Sequence, residues 1–389
     1  MGELLTVKPA ILFIDNIAVE SAKRSFYRAV AALGTYEVHL LVPATWKEQG
    51  GVVAAEPEPD PAVHVHVSPI LFGHRQHRVL HLGLPRLLRT LRPSLLYVDS
   101  EPENYTAVYA RRAIRRASPE TRLALVSCRN MDYRAQGFPY KAAFTHRWCD
   151  TAFLKHPADI LYARPASGVS LLQGYARNVV HLPYVIDAGV FTPAGGRRGG
   201  REDVTIGYLG RLVPEKGVDL LVRACATLPA SVHLVIAGRG PMRDTLGAIA
   251  VQAGIGDRVR IVDAVPYAGV PAFLRSLDIL ALPSRPSTIW MEQFGRVLIE
   301  AMACGVPVVA SNSGEIPSVL ADGGVLVPPG DTEALGNALR MLAASADRRT
   351  QIGNAGRARA LATFDATAVA SWFLETLRPL GPPFIPAAM

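Results

Sequence analysis

Trp290-Met291-Glu292-Gln293-Phe294-Gly295-Arg296-Val297-Leu298-Ile299-Glu300-Ala301-Met302-Ala303-Cys304-Gly305-Val306-Pro307-Val308-Val309 carries the plan of this chain. From Phe294 onward, Val297, Leu298, Ala301 and Met302 share one helical stripe; Gly305 ends the helix, and Pro307-Val308-Val309 opens a buried strand. Glu292 and Glu300 stand with seven residues between them (E-x7-E), across a loop-to-helix junction. Eight residues of helical rise is about 12 Å, the span from a sugar ring to the ribose of a nucleotide-diphospho-sugar. One carboxylate can accept hydrogen bonds from sugar hydroxyls and the other from ribose hydroxyls, with the helix N-terminus between them as a diphosphate site. Two glutamates around a surface helix are commonplace, so spacing alone also describes a solvated face.

The neighbouring residues narrow the choice. E-Q-F-G-R-x-L-x-E-A-M-A-C-G-x-P-V-V, preceded by Pro283-Ser284-Arg285 and Trp290, resembles the donor-site signature of the retaining GT-B glycosyltransferases of family GT4. It is most similar to the bacterial branch carrying P-S-R … W-x-E-Q-F-G-R. The resemblance implies an α/β fold of two Rossmann-like, doubly wound domains facing across a cleft, with the C-terminal helix crossing back to the first. It also implies transfer with retention and no metal or cofactor beyond the nucleotide-sugar co-substrate. A hydrolase also uses two carboxylates, but on opposite sides of one glycosidic bond; Glu292 and Glu300 come from one segment.

Working outward, Gly207-Tyr208-Leu209-Gly210-Arg211-Leu212-Val213-Pro214-Glu215-Lys216-Gly217 follows a predicted strand. Gly210 lets the backbone pass close to a ligand. Arg211 and Lys216 can neutralise charge building on a departing diphosphate; alone, the pattern equally describes a surface ion pair. It matches the family's G-R-L-x-x-E-K-G at the right distance before E-x7-E. Arg211, Lys216 and Glu292 are thus the expected catalytic groups. Gly210, Gly238, Gln293, Phe294, Gly295 and Glu300 complete the expected donor site, with the amides of Phe294 and Gly295 against sugar or phosphate. Gly238-Arg239-Gly240-Pro241 reads as a tight turn near the nucleotide, and Ser313-Gly314-Glu315-Ile316-Pro317 matches the family's G-x-I-P loop. By the same resemblance, Asp257 to Val265 lies near the base.

The acceptor side departs from the family. Asp15-Asn16-Ile17 replaces its glycine turn, and Val126-Ser127-Cys128-Arg129-Asn130 stands where a His is common. A branch has Gln-Asn there after an acidic E-P segment; this chain offers Glu101-Pro102-Glu103-Asn104 and Arg129-Asn130. Asp15, Asn16, Glu101, Arg129 and Asn130 are the expected acceptor-binding residues, and Arg129 equally suits a salt-bridged loop. His64 and His66 alternate on a predicted strand, while His74, His77 and His81 have helical spacing. No carboxylate or cysteine accompanies them in sequence, which speaks against a metal site. Asp187 and Phe191 match a structural interdomain turn of the family.

An apolar fraction of 49% with 19% charged residues suits parallel strands buried on both faces. Two domains are the default for 389 residues. βαβα alternation runs through the predicted strands Ala10–Asp15, Val38–Val42, Leu95–Asp99 and Arg122–Val126, with helices over Glu20–Leu33 and Tyr105–Arg116. Residues 46–62 read as a loop. Thr192 to Arg201 reads as a linker, and a second alternation follows: Val204–Tyr208, Val232–Ile236, Arg258–Ile261, Ile279–Leu282 and Val306–Val309. This divides the chain into residues 1–190 for the acceptor, 191–364 for the donor, and 365–389 returning to the first domain.

No run of apolar residues is long enough to span a membrane, no signal peptide is evident, and Cys128, Cys149, Cys225 and Cys304 form no close pair. The expectation is a cytoplasmic protein. Residues 1–190 hold 22 Lys/Arg against 16 Asp/Glu, and the rest 19 against 17. Arg75, Arg78, Arg86, Arg89 and Arg92 follow one predicted helix, and Arg111, Arg112, Arg115 and Arg116 another. A solvated face explains them, and so does peripheral contact with the inner face of an acidic membrane. No aromatic platform accompanies them for nucleic acid. The chain reads as a glycosyltransferase moving sugar from a nucleotide-sugar donor to a hydroxyl acceptor (polysaccharide, lipid or natural product). The alternative is a non-catalytic sugar-nucleotide-binding partner or sensor.

Overall fold

The computed structural model describes residues 8–48, 51–73, 78–132, 143–193 and 203–384. They form two compact units. The first holds the described residues up to Val185 and those from Ala366 onward; the second is Ile186–Asp365.

The first unit is built on β1 (Ala10–Ile14), β2 (Glu37–Pro43), β3 (Val63–Ser68), β4 (Leu95–Val98), β5 (Arg122–Ser127), β6 (Ala158–Ala163) and β7 (Ala176–His181). Their order is β7-β6-β5-β4-β1-β2-β3, every pair parallel. Alternate residues of β1 face opposite sides of the sheet. Ile11 and Phe13 join Val38, Leu40, Tyr97 and the helix Ser25–Ala32 on one side. Leu12 and Ile14 join Leu41, Leu96, Val98 and the helices Leu84–Leu91 and Tyr105–Ala117 on the other. Both faces being covered explains why this strand reads as an unbroken apolar run. The helix Ala366–Leu377 closes the first side: Phe373 stacks edge-on to Tyr97 at 5.8 Å, and Tyr162 shares a 2.7 Å hydrogen bond with Thr376.

The second unit carries β8 (Val204–Leu209), β9 (Val232–Ala237), β10 (Val259–Val262), β11 (Ile279–Leu282), β12 (Val308–Ser311) and β13 (Val325–Val327). They are ordered β10-β9-β8-β11-β12-β13 and are again all parallel. Strand order reverses between β1 and β4 in one sheet and between β8 and β11 in the other. Those are the two points where a doubly wound sheet opens a crevice at its carboxyl ends.

Several expectations are corrected. Residues 46–62 are not all loop: Thr45–Glu48 and Gly51–Ala54 pair antiparallel, because Trp46 and Val53 pack onto the core, while Pro and Glu dominate only residues 56–61. The buried Arg24 then fastens that stretch, donating to the carbonyls of Ala18, Val19 and Glu56 and pairing with Glu58 at 3.2 Å. His81 lies not on a helix but in the short antiparallel pair Ile70–Leu71 with Leu80–His81; His74, Arg75 and His77 are outside the described residues. The basic helix therefore begins only at Leu84 and ends with Arg92 in the left-handed region. The first unit ends at Val185, five residues before the expected boundary, since Ile186 N–H donates to Phe364 O and Ile186 pairs with Asp365. The linker from Ala194 to Glu202 lies outside the described residues. Among the described residues no helix is long and apolar enough to cross a membrane.

Buried histidines make the first unit sensitive to acid. His39 Nδ1 lies 3.0 Å from His66 Nε2 and its ring stacks on His64. Burial, with repulsion from His66 and His64, pushes His39 down to about 4, against a weaker pull from Glu37. Burial does the same to His81, also to about 4. The unfolded chain protonates both near 6.5, so it binds more protons than the folded chain between these values, and stability falls as pH drops through that window. Urea unfolding at pH about 7.5 and about 5 should show a loss on the order of a few kcal/mol, and His39→Gln with His81→Gln should flatten it. An unchanged slope in the double variant would remove these imidazoles as the cause.

Candidate functional site

Two of the residues expected at the donor site, Lys216 and Glu292, meet beyond the carboxyl ends of β8 and β11, adjacent strands at the point of reversal. Lys216 Nζ donates to Glu292 Oε2 at 2.6 Å, although 76 residues separate them. Ser284 Oγ donates to the same oxygen at 2.9 Å, and Lys216 Nζ sits 4.9 Å from the centre of the Trp290 ring. Glu292 is buried, so its charge is held by a cation and a hydroxyl, as burial of a carboxylate requires. Lys216 keeps further N–H donors for a ligand.

The flanking residues fix this pair. Arg285 donates to Asp219 at 3.0 Å and to the carbonyl of Pro214 at 2.7 Å, tying down the single turn Pro214–Lys216. Pro283-Ser284-Arg285 therefore acts twice, once on Glu292 and once on the Lys216 turn. Gly314, at φ +56, passes so close that a Cβ would lie 2.2 Å from the carbonyl oxygen of Glu292; Glu315 N–H donates to that oxygen at 3.1 Å. Arg211 is half-exposed and only 3.8 Å from Glu215, a loose contact that leaves it able to turn towards an anion. Its backbone is held by Tyr208, whose hydroxyl donates to Arg211 O at 2.8 Å. Gly238 packs on Gly210, where a Cβ would meet the Gly210 carbonyl at 1.9 Å.

The helix over the second glutamate starts later than expected. Gly295, at φ +76, turns the chain, and the helix is Arg296–Ala303. Glu292 to Gly295 thus precede it, so the full helical rise between the glutamates does not apply. Phe294 turns its ring into the core against Phe364, leaving only its backbone for a ligand. Gln293 is half-buried beside it. Leu298 N–H donates to Gly295 O at 2.8 Å, and among the described residues no side chain caps this helix, so the N–H groups of Arg296 and Val297 have no intrahelical acceptor and favour an anion. Glu300 is buried, with Arg296 3.9 Å away. Burial pushes its carboxyl above the usual range, with Arg296 pulling back. Ligand hydroxyls would supply the donors that ionised form needs.

In the first unit, Asp15 and Asn16 follow β1, Glu101 and Glu103 follow β4, and Arg129 and Asn130 follow β5. Asp15 is engaged internally: Tyr27 O–H donates to one oxygen at 2.7 Å and Ile17 N–H to the other at 2.9 Å. Asn16 Oδ1 accepts from His81 Nε2 at 2.8 Å. No local pattern in the sequence signals that partner, 65 residues away. Glu101 accepts from Cys128 N–H at 2.6 Å, and burial, with Glu103 adding repulsion, pushes its carboxyl up to about 8. Of the two readings open for Arg129, the geometry shows the salt bridge. Its guanidinium is buried, 2.6 Å from Glu103 and 3.4 Å from the Tyr175 hydroxyl. Burial opposes its charge, and Glu103 more than restores it. Arg129 thus ties the loop after β5 to the loop after β4. Asn130 is buried beside it in sequence. Among the described residues no group of three or more His, Cys, Asp or Glu is arranged to hold a metal.

Residues 199–359 match the family model of glycosyl transferases group 1. Over 195 residues the chain is 37% identical to the GDP-mannose-dependent alpha-(1-6)-phosphatidylinositol monomannoside mannosyltransferase of Mycolicibacterium smegmatis, covering 46% of this chain and 51% of that relative. The chain thus spans about half the length of this curated relative. In fold it is similar to sucrose-phosphate synthase from Thermosynechococcus elongatus, with a TM-score of 0.70 at 20% identity over 96% of this chain and 99% of that one. Anabaena HepE, solved in complex with UDP and glucose, has a TM-score of 0.67 at 20% identity over 95% and 99%. The match to glycosyl transferases group 1 falls on the second unit, and the two parallel sheets follow the GT-B fold.

Cutting the buried ion pair tests the structural place of Arg129. Glu103→Ala should cost about 3–5 kcal/mol in urea unfolding, because it strands a buried cation. Glu103→Leu with Arg129→Met should recover much of that loss; a double variant as unstable as the single would contradict it.

Proposed function

We infer that this chain transfers a sugar from a nucleotide-diphospho-sugar to a hydroxyl-bearing acceptor with retention of anomeric configuration. The observation that carries the reading is the Lys216–Glu292 pair, fixed by Ser284 and Gly314 at the reversal point of the second sheet. Glu292 accepts from sugar hydroxyls and Glu300 from the ribose. Arg211 and Lys216 hold the diphosphate, with the helix N-terminus and the backbone of Gln293 to Gly295 alongside, and Gly210 and Gly238, packed on each other, shape the neighbouring loop. The bond from the anomeric carbon to the leaving phosphate oxygen breaks while the acceptor oxygen bonds on the same face. The acceptor proton passes to the leaving diphosphate. The protein contributes position and preorganised charge, and the cations take up the diphosphate charge, so this reading requires no metal ion.

GDP-mannose is the first donor to try, given the GDP-mannose dependence of the mycobacterial relative. The name of that relative gives a phosphatidylinositol monomannoside as its acceptor, which supports a membrane lipid as the first acceptor class to try. A second reading, a non-catalytic sugar-nucleotide sensor, is favoured by one observation: Asp15, Asn16 and Arg129 are all engaged internally on the acceptor edge.

Thermal unfolding with GDP, UDP, ADP and dTDP separates these. A nucleotide at about a hundred times its Kd should add roughly 2.7 kcal/mol, a rise of a few degrees. Lys216→Ala and Glu300→Ala should reduce that rise. With the matching donor, Lys216→Ala should lower kcat/KM by about 10²–10³. Nucleotide binding without turnover on lipid acceptors supports the sensor, and no shift with any base removes the donor site.

A further inference from the structure

Between Asp60 and Asp99 the sequence runs 38 residues with five arginines, five histidines and no carboxylate. Its described parts fold into one anchored projection of the first unit. Ile70–Leu71 pairs with Leu80–His81, and the helix Leu84–Leu91 follows at once. The base is tied down: Leu82 N–H donates to Pro69 O at 3.0 Å, Gly83 N–H to Ser68 Oγ at 2.9 Å, Thr106 to Val79 O at 2.9 Å, and Tyr109 to His81 O at 2.8 Å. Leu84 and Leu88 are the helix's buried face.

From that fixed base apolar side chains stand in water. Leu71, Phe72 and Leu82 are 46%, 58% and 52% exposed. A lone exposed leucine needs no explanation; three on one tied-down hairpin, one of them Phe, form a prong. Arg78 in the same hairpin and Arg86 and Arg89 on the helix that follows at once are exposed, and among the described residues none of them forms an ion pair. Cations without carboxylates, next to apolar side chains, are complementary to an anionic bilayer, with phosphates outside and acyl chains within. A nucleic acid would satisfy the arginines but not the prong.

We propose that Leu71, Phe72 and Leu82, with Arg78, Arg86 and Arg89, form a docking face that seats the first unit on an anionic lipid bilayer. The apolar side chains enter the acyl boundary and the arginines pair with headgroup phosphates. The same hairpin holds His81, whose imidazole orients Asn16 at the carboxyl end of β1, so the face is joined by one hydrogen bond to the acceptor edge. The proposal deepens the lipid-acceptor reading and rests on it only for its purpose; lipid binding itself is measured independently.

Co-sedimentation of the full chain with vesicles of phosphatidylcholine, alone or mixed with phosphatidylglycerol, tests it. The wild type should bind the mixed vesicles, bind phosphatidylcholine weakly, and release as salt rises. Arg86→Glu with Arg89→Glu should weaken binding by about tenfold or more. Phe72→Ser with Leu82→Ser should weaken it at high salt, where charge is screened. Arg348→Glu in the second unit should bind as wild type. Variants that bind like the wild type, or a wild type indifferent to phosphatidylglycerol, overturn the docking face, as does concentration-dependent self-association abolished by the Phe72/Leu82 variant without vesicle binding. Nucleotide-induced thermal shifts on the same samples keep the readings apart. A retained shift with absent vesicle binding overturns the docking face alone, whereas vesicle binding without a shift sustains the face and removes the donor site.

Discussion

Two parallel sheets, each covered on both faces, impose the constraint on which everything else rests. Their strands leave no interior room for unpaired charge, so polar chemistry is expelled to the strand ends. Helix starts and strand carboxyl ends coincide there. The point where strand order reverses pulls neighbouring loops apart and opens space for a ligand. Both candidate sites occupy such points, between β8 and β11 in the second unit and between β4 and β1 in the first.

Within that frame the two units treat charge differently. The second unit leaves Arg211 loose and half-exposed and pairs Lys216 with Glu292, so its cations remain available to an anion. The first unit spends its charges internally: Arg129 on Glu103, Asp15 on Tyr27 and Ile17, Arg24 on three carbonyls and Glu58. A buried pair of this kind stabilises little against an apolar replacement but penalises its own breakage heavily. The first unit's ion pairs thus hold shape.

Much of the second unit was legible because its signals are local. The apolar stripe Val297, Leu298, Ala301 and Met302 marks a helix face whatever surrounds it, and Gly305, at φ +69, ends the helix because only glycine turns there without cost. The helix start was misplaced by two residues because Gly295, a residue of no side chain, redirects the backbone before periodicity can register it. In the first unit the histidines misled for the opposite reason. The i, i+3, i+7 spacing of His74, His77 and His81 imitates a helix, yet His81 belongs to a two-residue strand pair held by Tyr109 and Asn16, contacts that lie far away in sequence.

By itself the sequence determined most of the element types and the parallel two-sheet class, because each rests on periodicity or on glycine and proline chemistry within a few residues. Tertiary structure alone decided which charges meet. Lys216 finds Glu292 across 76 residues, and Asn16 finds His81 across 65, through strand order and register that no local pattern encodes. The same holds for Arg129, whose sequence suits a ligand and a salt bridge equally. Burial beside Glu103 shows the salt bridge, since a guanidinium out of water takes a nearby carboxylate.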